Sequence, residues 1–142
     1  MHPHFRHMVI DADFDQVIVD LLRAFQEQRL EIVARIDVRE HCRRTLGRDF
    51  RRHLIFDVWS PDLGVEAVRQ DLETGTFVMT RFVIYELADG ETAVTATEGL
   101  WWLASDPAYR REHAQLVTLA ELQRERAGQV LRSLRRKTKK AA

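Results

Sequence analysis

Residues 76–85 carry large apolar side chains on both parities of an extended chain. Successive strand residues point to opposite faces, so Val78, Phe82 and Ile84 face one way while Phe77, Met79, Val83 and Tyr85 face the other. A strand apolar on both sides must be covered on both sides or leave a large apolar patch in water. The fold therefore needs something to meet each face of this segment. Ile55 and Trp59 extend the second set on a neighbouring segment. Amphipathic helices account for one face. The other is expected to meet a second subunit, a ligand, or the closing helix with Trp101 and Trp102.

The flanking segments supply the rest of the sheet and its helices. Asp13 followed by Gln16 reads as a capping box, and Phe14, Val17, Ile18, Leu21, Leu22 and Phe25 recur at helical spacing, predicting a helix that ends near Gln28. From Leu30 the period changes to two, with Leu30, Ile32, Ala34 and Ile36 on one side of a half-buried strand. Asp37 with Glu40 repeats the capping signature, and Gly47 suits a left-handed helix end, so a short helix covers 38–46. Residues 52–59 alternate again, with Leu54, Phe56 and Val58 opposed to His53, Ile55, Asp57 and Trp59. Ser60-Pro61 starts a third helix reaching about Asp71, although Gly64 inside it costs about 1 kcal/mol relative to alanine. Residues 76–86 and 91–98 form a hairpin around Ala88-Asp89-Gly90, and a short strand covers His7 to Ile10. After Ser105-Asp106-Pro107 one long amphipathic helix closes the chain. The expectation is an α+β fold with a single antiparallel sheet and helices packed mainly on one face. Phe14, Leu21, Phe25, Leu54, Phe56, Phe82 and Ile84 should form the core.

A length of 142 residues suits one domain over 1–142, with a basic tail at 132–142. Twenty-two basic and 22 acidic residues cancel, so nothing in the overall charge favours a nucleic-acid partner. A lone cysteine, Cys42, excludes an internal disulfide and a CxxC motif and fits a reducing, cytoplasmic setting. The N-terminal residues lack the apolar core of a signal peptide, and no apolar run is long enough to span a bilayer.

The order and spacing of several short segments resemble the family known as domain of unknown function 302. They are Phe14 with its amphipathic helix, Ala34-Arg35-Ile36-Asp37, Pro61 before a helix, Val83-Ile84-Tyr85-Glu86, and Gly90, with a weaker match over 119–134. The resemblance implies a small bacterial and archaeal α+β domain of the TATA-box-binding-protein-like type, with no established activity. Many members carry Leu-Pro-Cys where this chain has Met79-Thr80-Arg81, so any thiol or metal role of that cysteine is not shared. Many also carry a glycine after the first helix where this chain has Arg29-Leu30.

Chemistry-bearing residues are scattered. His2, His4 and His7, with His53 or His41, are the imidazoles for a metal, but a terminal arm pre-organises none of them and no metal site or cofactor is expected. His41 and Cys42 are adjacent on a helix and do not face each other. His53, Asp57 and Ser60 fail as a triad, because strand residues four apart are separated by about 13 Å at roughly 3.3 Å per residue. Arg43, Arg44, Arg48, Arg51 and Arg52 are read as a solvated helix face and strand end. The tail residues Arg132, Arg135, Arg136, Lys137, Lys139 and Lys140 are read as charge favoured at a helix C-terminus.

No catalytic residue is assigned, and the absence of a convergent acid, base, nucleophile and metal set favours a non-catalytic homodimeric binding or accessory protein. The alternative is a pocket for a small apolar or anionic ligand. Either way the working surface is the second sheet face, carried by Ile55, Asp57, Trp59, Met79, Arg81, Val83 and Tyr85. Arg81, mid-strand among apolar neighbours, needs an anionic partner, and Asp57 is the nearest acid.

Overall fold

The computed structural model describes residues 6–88 and 90–141, with the last six of these given by their backbone alone. The elements run β1 (Arg6–Ile10), α1 (Phe14–Glu27), β2 (Glu31–Asp37), α2 (Val38–Leu46), β3 (His53–Trp59) and α3 (Pro61–Gln70). A 3-10 turn (Leu72–Thr76) follows, then β4 (Thr80–Glu86), β5 (Thr92–Glu98), α4 (Gly99–Ala104), α5 (Pro107–Glu112) and α6 (Ala114–Ala141). The strands form one sheet ordered β1-β5-β4-β3-β2, with every neighbouring pair antiparallel.

Helices α1 and α6 pack together on one face of this sheet, as the α+β reading expects. Phe14, Val17, Leu21 and Phe25 descend from α1 onto Leu54, Phe56, Phe82 and Ile84, and Ala127, Val130 and Leu134 of α6 complete the same cluster. All seven residues expected in the core are buried. Phe25 meets Phe56 and Phe82 edge-on, with ring centroids 5.9 and 5.0 Å apart, the preferred geometry for ring quadrupoles. A second cluster, built on Ala67, Val78, Leu100, Leu116 and Ala120, joins α3 and α4 to the first half of α6. Gln123 pins that junction, because its Oε1 accepts from Leu100 N–H at 3.3 Å and its Nε2 donates to Val78 O at 2.8 Å.

Several local expectations need correction. The apolar run at 76–85 is a strand only from Thr80. Asp71 accepts from Glu73 N–H at 3.1 Å and its carbonyl accepts from the Thr74 hydroxyl at 2.6 Å, so local side-chain and main-chain bonds draw Leu72–Thr76 into a turn. Strand β2 is an exposed edge with a bulge at Val33: Ile32 pairs with Val58, but Ala34 pairs with Asp57. The expected single row of Leu30, Ile32, Ala34 and Ile36 is therefore split, the first two lying on the helix-covered side and the last two on the opposite side. The final helix is interrupted. Asp106 caps α5 through Ala108 N–H at 3.1 Å, and His113 leaves the helical region before α6 begins.

The caps also differ from one another. Asp37 accepts from Glu40 N–H at 3.0 Å and Gly47 is left-handed, as the sequence predicts. Asp13 and Ser60 stand at helix starts without a side-chain capping bond. Helix α1 ends in a Schellman arrangement, with Leu30 N–H donating to Phe25 O at 2.8 Å and Arg29 N–H to Gln26 O at 3.1 Å. The left-handed residue of that motif is Arg29, at φ 56°.

Candidate functional site

The face of the sheet turned away from α1 and α6 is open. Cross-strand register sets its side chains in rows: Ile36, Ile55, Val83, Thr95 and His7 in one, and Ala34, Asp57, Arg81 and Thr97 in the next. A third row runs through His53, Tyr85, Ala93 and Val9. The closing helix does not cover these rows, since α6 lies on the opposite face. Trp101 is turned toward α6, where the Arg124 guanidinium sits 4.6 Å from its ring, and only Trp102 reaches the open side.

At one end the face deepens into an open cleft of about 630 Å³. Its floor is β3, β4 and β5, through Asp57, Arg81, Val83, Thr95 and Thr97, and its wall is Phe77, Met79 and Trp102. The wall depends on a glycine. A Cβ on Gly99 would lie 3.0 Å from Phe77 Cα and closer to its carbonyl, so only glycine lets the 77–79 segment lie against the start of α4. Gly99 N–H donates to Met79 O at 3.3 Å, and the Phe77 and Trp102 rings stand 6.3 Å apart at 60°.

Arg81 and Asp57 are paired across strands on the floor, Nε to Oδ1 at 2.7 Å and Nη2 to Oδ2 at 2.9 Å. This side-on geometry raises the Arg81 pKa above its ordinary value, chiefly through the hydrogen bonds to Asp57. Half of the Arg81 side chain remains exposed (50%), against 19% for Asp57. The Nη1 edge of the guanidinium is not used by Asp57. Beside this pair, His7 Nδ1 and Thr95 Oγ1 lie 2.9 Å apart.

Of the seven residues expected to form the working surface, Asp57, Met79, Arg81 and Val83 line the cleft together. Ile55 and Tyr85 share the face outside it. Tyr85 stacks on His53 at 5.5 Å, and burial holds the His53 imidazole below its ordinary pKa, with Arg51 adding to the effect. Trp59 is set apart because its indole packs on Gly64 of α3, with Nε1 buried and without a hydrogen-bond partner. Sequence reasoning missed Thr95, Thr97 and Gly99. The threonines sit on the parity opposite Val94 and Ala96, which is the signal that places them on this face.

The remaining candidates do not converge. His2 and His4 lie outside the described residues, and among the described residues no three His, Cys, Asp or Glu side chains come together as metal ligands. His41 contacts Arg44 at 3.3 Å, and Cys42 is a half-buried free thiol. The basic stretch is largely occupied at home: Arg39 and Arg43 hold Asp49, Arg44 holds Glu40, and Arg52 pairs with Asp15 while lying 4.4 Å from the Phe14 ring. The side chains of Arg136, Lys137, Lys139 and Lys140 lie outside the described residues. One unforeseen cluster joins α5 to the 3-10 turn. There the Tyr109 and His113 rings are 4.4 Å apart and His113 Nε2 lies 3.9 Å from Asp71 Oδ2. Burial first, and the Asp71 charge second, push the Tyr109 phenol up to about 12.

Among the described residues no helix is long and apolar enough to cross a membrane. A family model described as domain of unknown function DUF302 matches residues 6–134. A solved structure, the crystal structure of an uncharacterized conserved protein DUF302 from Bacillus stearothermophilus, is similar over 95% of this chain and 98% of that one. Its TM-score is 0.70 at 18% sequence identity, which shows a shared fold. No curated protein matches the chain.

Proposed function

This chain belongs to the DUF302 family, and from that starting point we propose that it is a non-catalytic binding protein whose cleft on the open sheet face takes a small molecule. The carrying observation is the pairing of an apolar, aromatic wall with a charged floor in one concavity. Its volume of about 630 Å³ falls within the range of small-molecule sites. Phe77, Met79, Val83 and Trp102 suit a flat apolar body, and the Nη1 edge of Arg81 suits an anionic group on it. The main polar groups satisfy one another, Asp57 with Arg81 and His7 with Thr95, which is the mark of a recognition surface rather than of an activated nucleophile.

A second reading, a homodimer through the same face, is favoured by the row that continues beyond the cleft. From Val83 at the cleft floor the row runs through Ile55 to Ile36, which is 37% exposed, and Val9, 49% exposed, ends the neighbouring row. Both readings are tested on one sample. Anilinonaphthalene sulfonate, an aromatic body carrying one sulfonate, should bind the monomer with one-to-one stoichiometry and lose affinity in Trp102→Ala and Arg81→Ala. A solution mass of two chains that falls to one in Val83→Asp would replace the first reading with the second. Probe binding unchanged in both cleft variants, with a monomeric mass, would defeat both.

A further inference from the structure

We propose that a second cleft, between β1 and α6, is a binding site for a small soluble phosphorylated molecule. It lies on the other side of the sheet edge from the site above and does not depend on that reading. Four arginines line it, Arg6 from β1 and Arg124, Arg132 and Arg135 from α6, over a floor that includes Met8 and Leu131. Its volume is about 370 Å³, larger than a phosphate and suited to a pyrophosphate or a phosphorylated small molecule.

A glycine brings these like charges together. A Cβ on Gly128 would stand 3.1 Å from Arg6 Nη1 and 3.2 Å from Arg132 Nη1, a tight contact, so the bare backbone eases the approach of two guanidinium groups from different elements. Gly128 is buried in the middle of α6, where glycine costs helix stability relative to alanine. Its presence is explained by what it admits.

Charge neutralisation within the cleft is incomplete. Glu98, only 2% exposed, pairs with Arg6, whose Nη2 also donates to Arg124 O at 3.2 Å. Glu125 pairs with Arg132 at 3.2 Å. Among the described residues Arg124 rests on the Trp101 ring and neither it nor Arg135 has a carboxylate partner. Four cations against two anions leave an excess that matches a dianion. Arg6 Nε is also buried without a hydrogen-bond partner, and Glu98 beneath it fixes the guanidinium in place, as a supporting residue does in built anion sites.

The test is calorimetric titration of the full chain with inorganic pyrophosphate at low ionic strength, with acetate as the control anion. Binding should be saturable and one-to-one, absent for acetate, and weakened at least about tenfold in Arg132→Gln and in Arg135→Gln, the loss of roughly one charge-assisted contact. Gly128→Ala should weaken it, by displacing the Arg6 and Arg132 tips, while leaving the melting temperature of the free protein unchanged or higher. If that variant does not fold, the two glutamine variants carry the decision. No heat with pyrophosphate, equal binding of acetate, or glutamine variants that bind as the parent does would each overturn the proposal. Sedimentation of the chain with phosphatidic acid vesicles, without pyrophosphate binding in solution, would overturn it in favour of a membrane surface.

Discussion

Trp59 packs the benzo ring of its indole onto Gly64, so closely that a methyl group on that glycine would lie 2.8 Å from Cζ3 and nearer still to Cε3. The helix interior tolerates glycine here because the strand before it delivers a large ring to the same point. Gly64→Ala sets a gain of about 1 kcal/mol in helix propensity against an overlap costing roughly 1 to 3 kcal/mol. The overlap should win, since the neighbour is a ring held between elements. Chemical denaturation should show a net loss of stability, and tryptophan emission should shift as Trp59 is displaced. A more stable protein with unchanged emission would refute this packing.

Asp57 competes with any anion for Arg81. Because the pair is half open to solvent, Asp57→Asn should cost less than about 1 kcal/mol of stability. It should also tighten anilinonaphthalene sulfonate by about tenfold, corresponding to roughly 1.4 kcal/mol. Weaker probe binding in this variant would show that the carboxylate, and not the guanidinium, faces the ligand.

His53 makes stability fall on mild acidification. Its folded pKa lies below the ordinary 6.5, so above 6.5 the ring is neutral in both states and its contribution is fully present. As pH falls below 6.5 the unfolded chain takes up the proton first, and stability is lost until the folded pKa is passed. Asp15, Asp49, Asp62 and Glu66, all held below their ordinary values by hydrogen bonds, lose theirs only in a more acidic window, below about 4.5. Melting temperatures of His53→Gln should therefore be flatter than those of the parent between about pH 7 and 5, and parallel to them at lower pH.

Arg29 occupies a backbone position that favours glycine, at φ 56°. Relief of the left-handed strain, about 1 to 2 kcal/mol, exceeds the added unfolded-state entropy of glycine, about 0.5 to 1 kcal/mol. Arg29→Gly should raise stability by up to about 1 kcal/mol in urea denaturation, with no change of slope.

The α1 face and the inner strands are legible in the sequence because burial there is one-sided and periodic. Phe14 to Phe25 follow a helical period, and Leu54, Phe56, Phe82 and Ile84 a period of two. What escaped depended on contacts distant in sequence. Phe77 and Met79 read as strand residues, but bonds from Asp71 withdraw the preceding segment from the sheet, and the two side chains become a wall instead. Arg81 was legible as a charge in need of a partner and Asp57 as the acid beside it, since register on a shared face follows from alternation. Gly99 and Gly128 were not, because a missing Cβ reveals its purpose only when the atoms that fill its place are known.

The bulge at Val33 makes the edge of the sheet sensitive to the length of the chain and not only to its composition. Residues on the two sides of it obey opposite parities, so a strand that kept all its residues but paired without the bulge would exchange Ala34 and Ile36 with Arg35 and Asp37 across the sheet. The open face would gain two charges and lose two apolar groups in one step, while the packing of Leu54, Phe56 and Val58 beneath α1 would keep its partners in β4. Removal of Val33 itself would leave Ala34 and Ile36 where they are, so it is the one extra residue, set aside in the bulge, that lets a strand of this length keep Arg35 and Asp37 off the open face.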